Sequence, residues 1–136
     1  MNIVDSSCWL EYLMGTETGA AAASAIESPV ELIVPTITLY EVYKKLLAEK
    51  GEEYALDVVS YMQTGTVIEL NAGLSLSAAQ ISRKHKLPMA DSIIYATALH
   101  YSAVIYSCDK GLKPFDILTR SVMYVQARPR PRSVRQ

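Results

Sequence analysis

Two hydrophobic rhythms take turns along this sequence. Short, nearly continuous apolar runs open it at "NIVD" (2–5) and return at "VELIVP" (30–35), "TVIEL" (66–70), "AVIYS" (103–107) and "VMYV" (122–125). Between them lie longer segments whose apolar residues recur at three- and four-residue spacing. Runs of the first kind predict strands, and segments of the second kind predict helices. In "SSCWLEYLM" the residues Trp9, Leu10, Leu13 and Met14 share one side. In "TITLYEVYKKLLAEKG" Leu39, Val42, Tyr43, Leu46 and Leu47 do the same, with Gly51 as the stop signal. Further helices are expected in "GAAAASAIES", "EEYALDVVSYMQTG", "SLSAAQISRKHK" and, after a break at Pro88, around Asp91. Strands that are apolar throughout, rather than apolar at every second residue, are buried on both faces. The expectation is therefore α/β: a three-layer α/β/α domain with a central, mainly parallel sheet.

At 136 residues, half of them apolar, the chain has the length and composition of one domain, which we place at residues 1–125. Residues 126–136 differ in kind. They hold Arg128, Arg130, Arg132 and Arg135, no acid, and prolines that forbid a helix or central strand, so an extended basic tail is expected. Four of the 13 basic residues lie there, which leaves nine against 14 acids in the rest of the chain. A solvated terminus explains such a tail; an arm that touches nucleic-acid phosphates explains it too. No apolar run reaches the length of a membrane span, and no basic segment followed by an apolar one opens the chain, so a cytoplasmic protein without a membrane partner is expected. Cys8 and Cys108 are too few and too distant in sequence for a disulfide framework and lack the paired spacing of a zinc site. Cys108 is expected as a small buried packing residue.

In an open parallel sheet, ligands bind beyond the carboxyl ends of the strands. Asp5 ends the first strand and Asp109 follows "AVIYS", while Glu41 and Asp91 fall near the starts of helices. Each has an ordinary structural explanation. Asp5, Asp91 and Asp109 suit helix caps; Glu41 suits a capping box with Thr38 and an ion pair with Lys45. As a set they say more, because carboxylates that converge repel one another unless a cation neutralises them. Hard divalent ions take oxygen ligands, and magnesium keeps several waters beside a few carboxylates, which suits phosphodiester hydrolysis.

These segments resemble the PIN-domain nucleases, and within them the small VapC-like toxins of prokaryotic toxin–antitoxin pairs. "IVDSSCWLEYL" resembles the opening strand with its acid and hydroxyl, and "VPTITLYEVYKKL" the segment of the second acid. "LPMADSIIYATAL" resembles the segment of the third acid, and "AVIYSCDKGL" that of the fourth. The resemblance implies that Asp5, Glu41, Asp91 and Asp109 hold Mg2+ or Mn2+ in an RNA-cleaving site, with Ser6 and Ser107 as supporting hydroxyls. It also implies a homodimer and a cognate antitoxin that blocks the pocket. Leu112 departs from the phenylalanine common at its position, and the Arg-Pro tail lies outside the pattern.

Other features carry less. His85 suits a solvated helix end, His100 a packing position, and Asp116 a solvated loop; most of the nine tyrosines fall in apolar patterns of a core or dimer interface. No GxGxxG or GxxxxGK[ST] loop is present. Phosphotransfer through an aspartyl phosphate would want a second Asp two residues after Asp5, where Ser7 stands. Two alternatives stand beside this reading: a non-catalytic module of the same fold that binds RNA or protein, with the acids as caps, or a PIN nuclease of RNA processing that has no antitoxin.

Overall fold

The computed structural model describes residues 1–108 and the backbone of residues 124–126. Asp109, Leu112, Asp116 and the four tail arginines lie outside the described residues. In chain order the elements are β1 (Asn2–Val4), α1 (Ser6–Leu13), α2 (Glu17–Ala20), α3 (Ala23–Ile26), a 3-10 turn (Pro29–Glu31), β2 (Leu32–Pro35), α4 (Thr36–Lys50), α5 (Glu52–Met62), β3 (Thr66–Ile68), α6 (Ala72–His85), α7 (Met89–Tyr101), β4 (Val104–Ser107) and β5 (Tyr124–Gln126). The sheet order is β3-β2-β1-β4-β5, and every pairing is parallel. The expected three-layer α/β/α fold is what forms.

Alternation along the central strands divides the core. Val4, Leu32 and Val34 point to one face, where Trp9, Ile26, Val42, Leu46, Val58 and Met62 from α1, α3, α4 and α5 cover them. Ile3, Ile33 and Ile105 point to the other, under Leu87, Ile94, Tyr95 and Ala98. Burial on both faces is why these strands carry no polar residue at every second position. Gly51, at φ 88°, turns the chain from α4 into α5, a conformation that glycine adopts without a side-chain penalty.

The alanine-rich segment departs from expectation. It forms two four-residue helices, α2 and α3, rather than one helix over 19–28. Thr16 caps α2 through the Gly19 amide at 3.1 Å. Gly19 then lies so close to the Glu11–Tyr12 backbone of α1 that a Cβ there would collide with it. The break after α2 lets Ala25 and Ile26 turn back onto the sheet. Helix α6 starts earlier than its apolar pattern suggests, because Asn71 accepts from Leu74 N at 2.9 Å and caps it.

Candidate active site

The chain lays down β1, β2 and β3 in one direction and then returns to add β4 and β5 on the other side of β1. The order therefore reverses at β1 and β4, and the crevice beyond their carboxyl ends is where such folds bind ligands. Asp5 stands at that point. Its amide donates to Tyr106 O at 3.0 Å, which extends the β1–β4 ladder by one step. Asp5 as a whole is buried, at 8% exposure. Its Oδ1 accepts from Cys8 N at 2.9 Å and from Ser7 Oγ at 2.7 Å. The expected capping role is real, since Asp5 is the N-cap of α1. Ser107, at the end of β4, is buried beside the same crevice.

Ser6 reaches across to α4. Its hydroxyl donates to Glu41 Oε1 at 3.2 Å, joining positions 35 residues apart. Both structural explanations expected for Glu41 fail. The N-cap of α4 is Pro35, so Thr38 sits inside the first turn, buried, and its hydroxyl has no hydrogen-bond partner among the described residues. Lys45 pairs with Glu49 at 2.9 Å instead of with Glu41. Glu41 lies about 8 Å along α4 from its first residue, at the usual rise of about 1.5 Å per residue.

Asp91 is held at the same edge by topology. Helix α7 ends just before β4 begins, so its carboxyl end lies at the amino edge of the sheet. About 20 Å of helix then brings its first turn to the carboxyl edge. Pro88 is the N-cap, so the expected cap role for Asp91 gives way to a first-turn position, where an acid complements the helix dipole.

The described donors in this rim are carboxylate and hydroxyl oxygens, the chemistry that suits Mg2+ or Mn2+. Among the described residues no three His, Cys, Asp or Glu side chains lie close enough to grip an ion together. Asp5 and Glu41, linked through Ser6, match the one or two carboxylates by which magnesium is commonly held.

Three features escaped the sequence reading. Ser7 holds the Asp5 carboxylate, a role its position two residues after an N-cap could have suggested. A groove of about 800 Å3 runs between α1, α4 and α5, lined by Ser7, Leu10, Leu13, Lys45, Leu46 and Tyr54 among others. Cys8 and Cys108 form a disulfide with Cα atoms 4.8 Å apart, against the expectation of a packing thiol. They lie 100 residues apart in sequence, but the pairing of Val4 with Tyr106 brings the segments beyond both strand ends together. His100 also differs from expectation: it is exposed, edge-on to Tyr101 at 4.8 Å between ring centroids. Tyr95 is core as expected, whereas Tyr40 is 59% exposed with the Lys44 ammonium 5.7 Å from its ring centroid. No helix of the described residues is long and apolar enough to cross a membrane.

Solved structures with the same fold include a toxin–antitoxin complex from Klebsiella pneumoniae, 18% identical, covering 84% of this chain and 94% of that one at a TM-score of 0.69. DNA-bound VapBC from Salmonella typhimurium is 15% identical, with coverage of 94% and 100% and a TM-score of 0.71. PAE2754 from Pyrobaculum aerophilum is 16% identical, with coverage of 93% and 90% and a TM-score of 0.60. Among curated protein sequences none matches. The PIN domain family model matches residues 3–118, most of the sequence, so this chain belongs to the PIN domain family.

Proposed function

We propose that the chain is a divalent-metal-dependent endoribonuclease that hydrolyses RNA phosphodiester bonds, the toxin of a toxin–antitoxin pair. The observation that carries this reading is the Ser6 bridge, which couples the β1 strand end at Asp5 to Glu41 on α4 at the point where the sheet order reverses. Membership of the PIN domain family supports nuclease chemistry. The toxin–antitoxin complexes among the similar folds support an antitoxin partner.

In this reading Asp5, Glu41, Asp91 and Asp109 hold Mg2+ or Mn2+. The ion supplies Lewis-acid activation of water and of the scissile phosphate. The protein's part is orientation. Ser7 Oγ and Cys8 N fix one oxygen of Asp5, Ser6 turns Glu41 toward the crevice, and the α7 dipole favours the Asp91 anion. Ser107 supports the fourth acid from the end of β4. Residues 1–125 form the catalytic domain, and the arginines of residues 126–136 contact RNA phosphates. The protein works as a cytoplasmic homodimer.

One observation favours the alternative of a non-catalytic binding module. Asp5 already has a structural task as the α1 cap. Incubation of the purified chain with structured RNA and Mg2+ or Mn2+ decides between them. Cleavage that is lost with a chelator and in both Asp5→Asn and Asp91→Asn is expected; equal cleavage by the wild type and both variants would return the acids to structural roles.

A further inference from the structure

The Cys8–Cys108 bridge does more than join two distant parts of the chain. Cys8 lies in the first turn of α1, and its backbone amide is one of the two described donors to Asp5 Oδ1. Cys108 directly follows β4, the strand whose Tyr106 carbonyl accepts the Asp5 amide. The bridge thus closes a small circuit around Asp5: β1 is zipped to β4, Asp5 caps α1, and α1 is bonded back to the end of β4. In sequence, the residue after Cys108 is Asp109.

We propose that this disulfide is a redox-dependent positioning element for the carboxylate rim, so that the affinity for the divalent cation follows its oxidation state. The inference rests on the metal-dependent reading above. In the oxidised chain, the Cys8 amide is held where it fixes Asp5 at the crevice. Reduction frees α1 to shift against β4, and Asp5 loses a fixed approach to the cation. Positioning groups of this kind typically change metal affinity by about 10–100-fold.

The chemistry is thiol–disulfide exchange. A dithiol reductant breaks the Sγ–Sγ bond and delivers two electrons and two protons. Cys8 and Cys108 become thiols, and the reductant leaves as its own disulfide. A low-molecular-weight disulfide such as oxidised glutathione runs the reverse, taking two electrons and two protons away as two thiols. At 0% and 8% exposure the two cysteines are shielded, so exchange proceeds through local opening and the folded state holds either form for long periods.

Full-length chain refolded with either oxidised glutathione or excess dithiol, then desalted without air, provides the two forms. Non-reducing mass analysis after thiol alkylation counts the bridge. Calorimetric titration with Mn2+ well below both melting temperatures reads affinity in a folded protein. The oxidised form is expected to bind at least about tenfold more tightly than the reduced form. Re-oxidation restores the difference, and the Cys8→Ala/Cys108→Ala variant matches the reduced form in either buffer. Equal affinity of the two forms would overturn the inference alone, leaving the bridge a plain staple. Two alkylatable thiols after the glutathione treatment would also overturn it. Absence of Mn2+ uptake by either form would overturn the metal reading, and this inference with it.

Discussion

Reduction of the Cys8–Cys108 bridge should lower stability by an amount that the chain's topology sets. The bridge spans 100 residues of sequence. A cross-link that closes a loop of about 100 residues removes enough unfolded-state entropy to contribute about 4.7 kcal/mol at 25 °C, with measured bridges more often at about 2–4 kcal/mol. Unfolding entropy near the melting point is about 2.1 cal/mol/K per residue, or about 0.29 kcal/mol/K for 136 residues. Dividing the two gives a fall in melting temperature of about 16 °C at the entropic limit and about 7–14 °C for typical bridges. Differential scanning calorimetry of oxidised and reduced wild-type chain, at matched pH and without metal, measures it. Both forms have the same atoms in the core apart from two hydrogens, so no cavity confuses the comparison. A fall of less than about 4 °C would refute the loop-entropy account on these magnitudes. Residual structure in the reduced unfolded chain would show independently as a smaller heat-capacity change.

Other perturbations follow from individual contacts. Asp5→Asn keeps an α1 cap of similar strength whereas Asp5→Ala loses about 1 kcal/mol. Millimolar Mn2+ is expected to raise the melting temperature of the wild type and of neither variant, and a rise in Asp5→Asn equal to that of the wild type would remove Asp5 from the site. Gly19→Ala should destabilise the chain by about 1–3 kcal/mol in urea unfolding, because its Cβ meets the α1 backbone, which cannot yield as a flexible side chain would. Tyr12 donates its hydroxyl to Glu27 Oε1 at 2.9 Å; that bond, with lesser help from burial and the Glu27 charge, raises the phenol above its ordinary value of 10.0. A raised folded-state pKa means stability that is complete below about pH 10 and declines as pH climbs through the folded value, so Tyr12→Phe should flatten that alkaline loss in pH-dependent melts. Deleting residues 128–136 should reduce the salt slope of RNA binding by about 3, the expectation for four phosphate contacts to a single strand, and an unchanged slope would make the tail a solvated terminus.

The order of elements was legible because burial on both faces leaves a plain imprint: Ile3 and Val4, or Ile33 and Val34, are adjacent apolar residues that face opposite layers. The alanine-rich segment was not legible. Its composition favours a single helix, and what stops it is the approach of Gly19 to α1, a tertiary contact with no local signature. Asp5 could be placed at a strand end from sequence, whereas the spacing that suggested a Thr38–Glu41 capping box misled, because Pro35 starts the helix three residues earlier. The disulfide was invisible for the same reason that it forms. Spacing rules treat distance along the chain as distance in space, and a parallel crossover separates in sequence the strands that it pairs.

Capping and metal binding by Asp5 are compatible roles. An N-cap carboxylate has one oxygen turned to the helix amides by necessity, and here Cys8 N and Ser7 Oγ both address Oδ1. Fixing one oxygen also fixes the direction of the other. A carboxylate held in this way stands on a helix that starts where the sheet order reverses, the edge at which such folds bind ligands. The same economy holds for Glu41, whose distance from the start of α4 would strand it on the helix flank without Ser6 to engage it. Local helix chemistry and site assembly therefore draw on the same few atoms. Substitutions that preserve the caps while altering charge, Asp5→Asn above all, separate the two where alanine variants cannot.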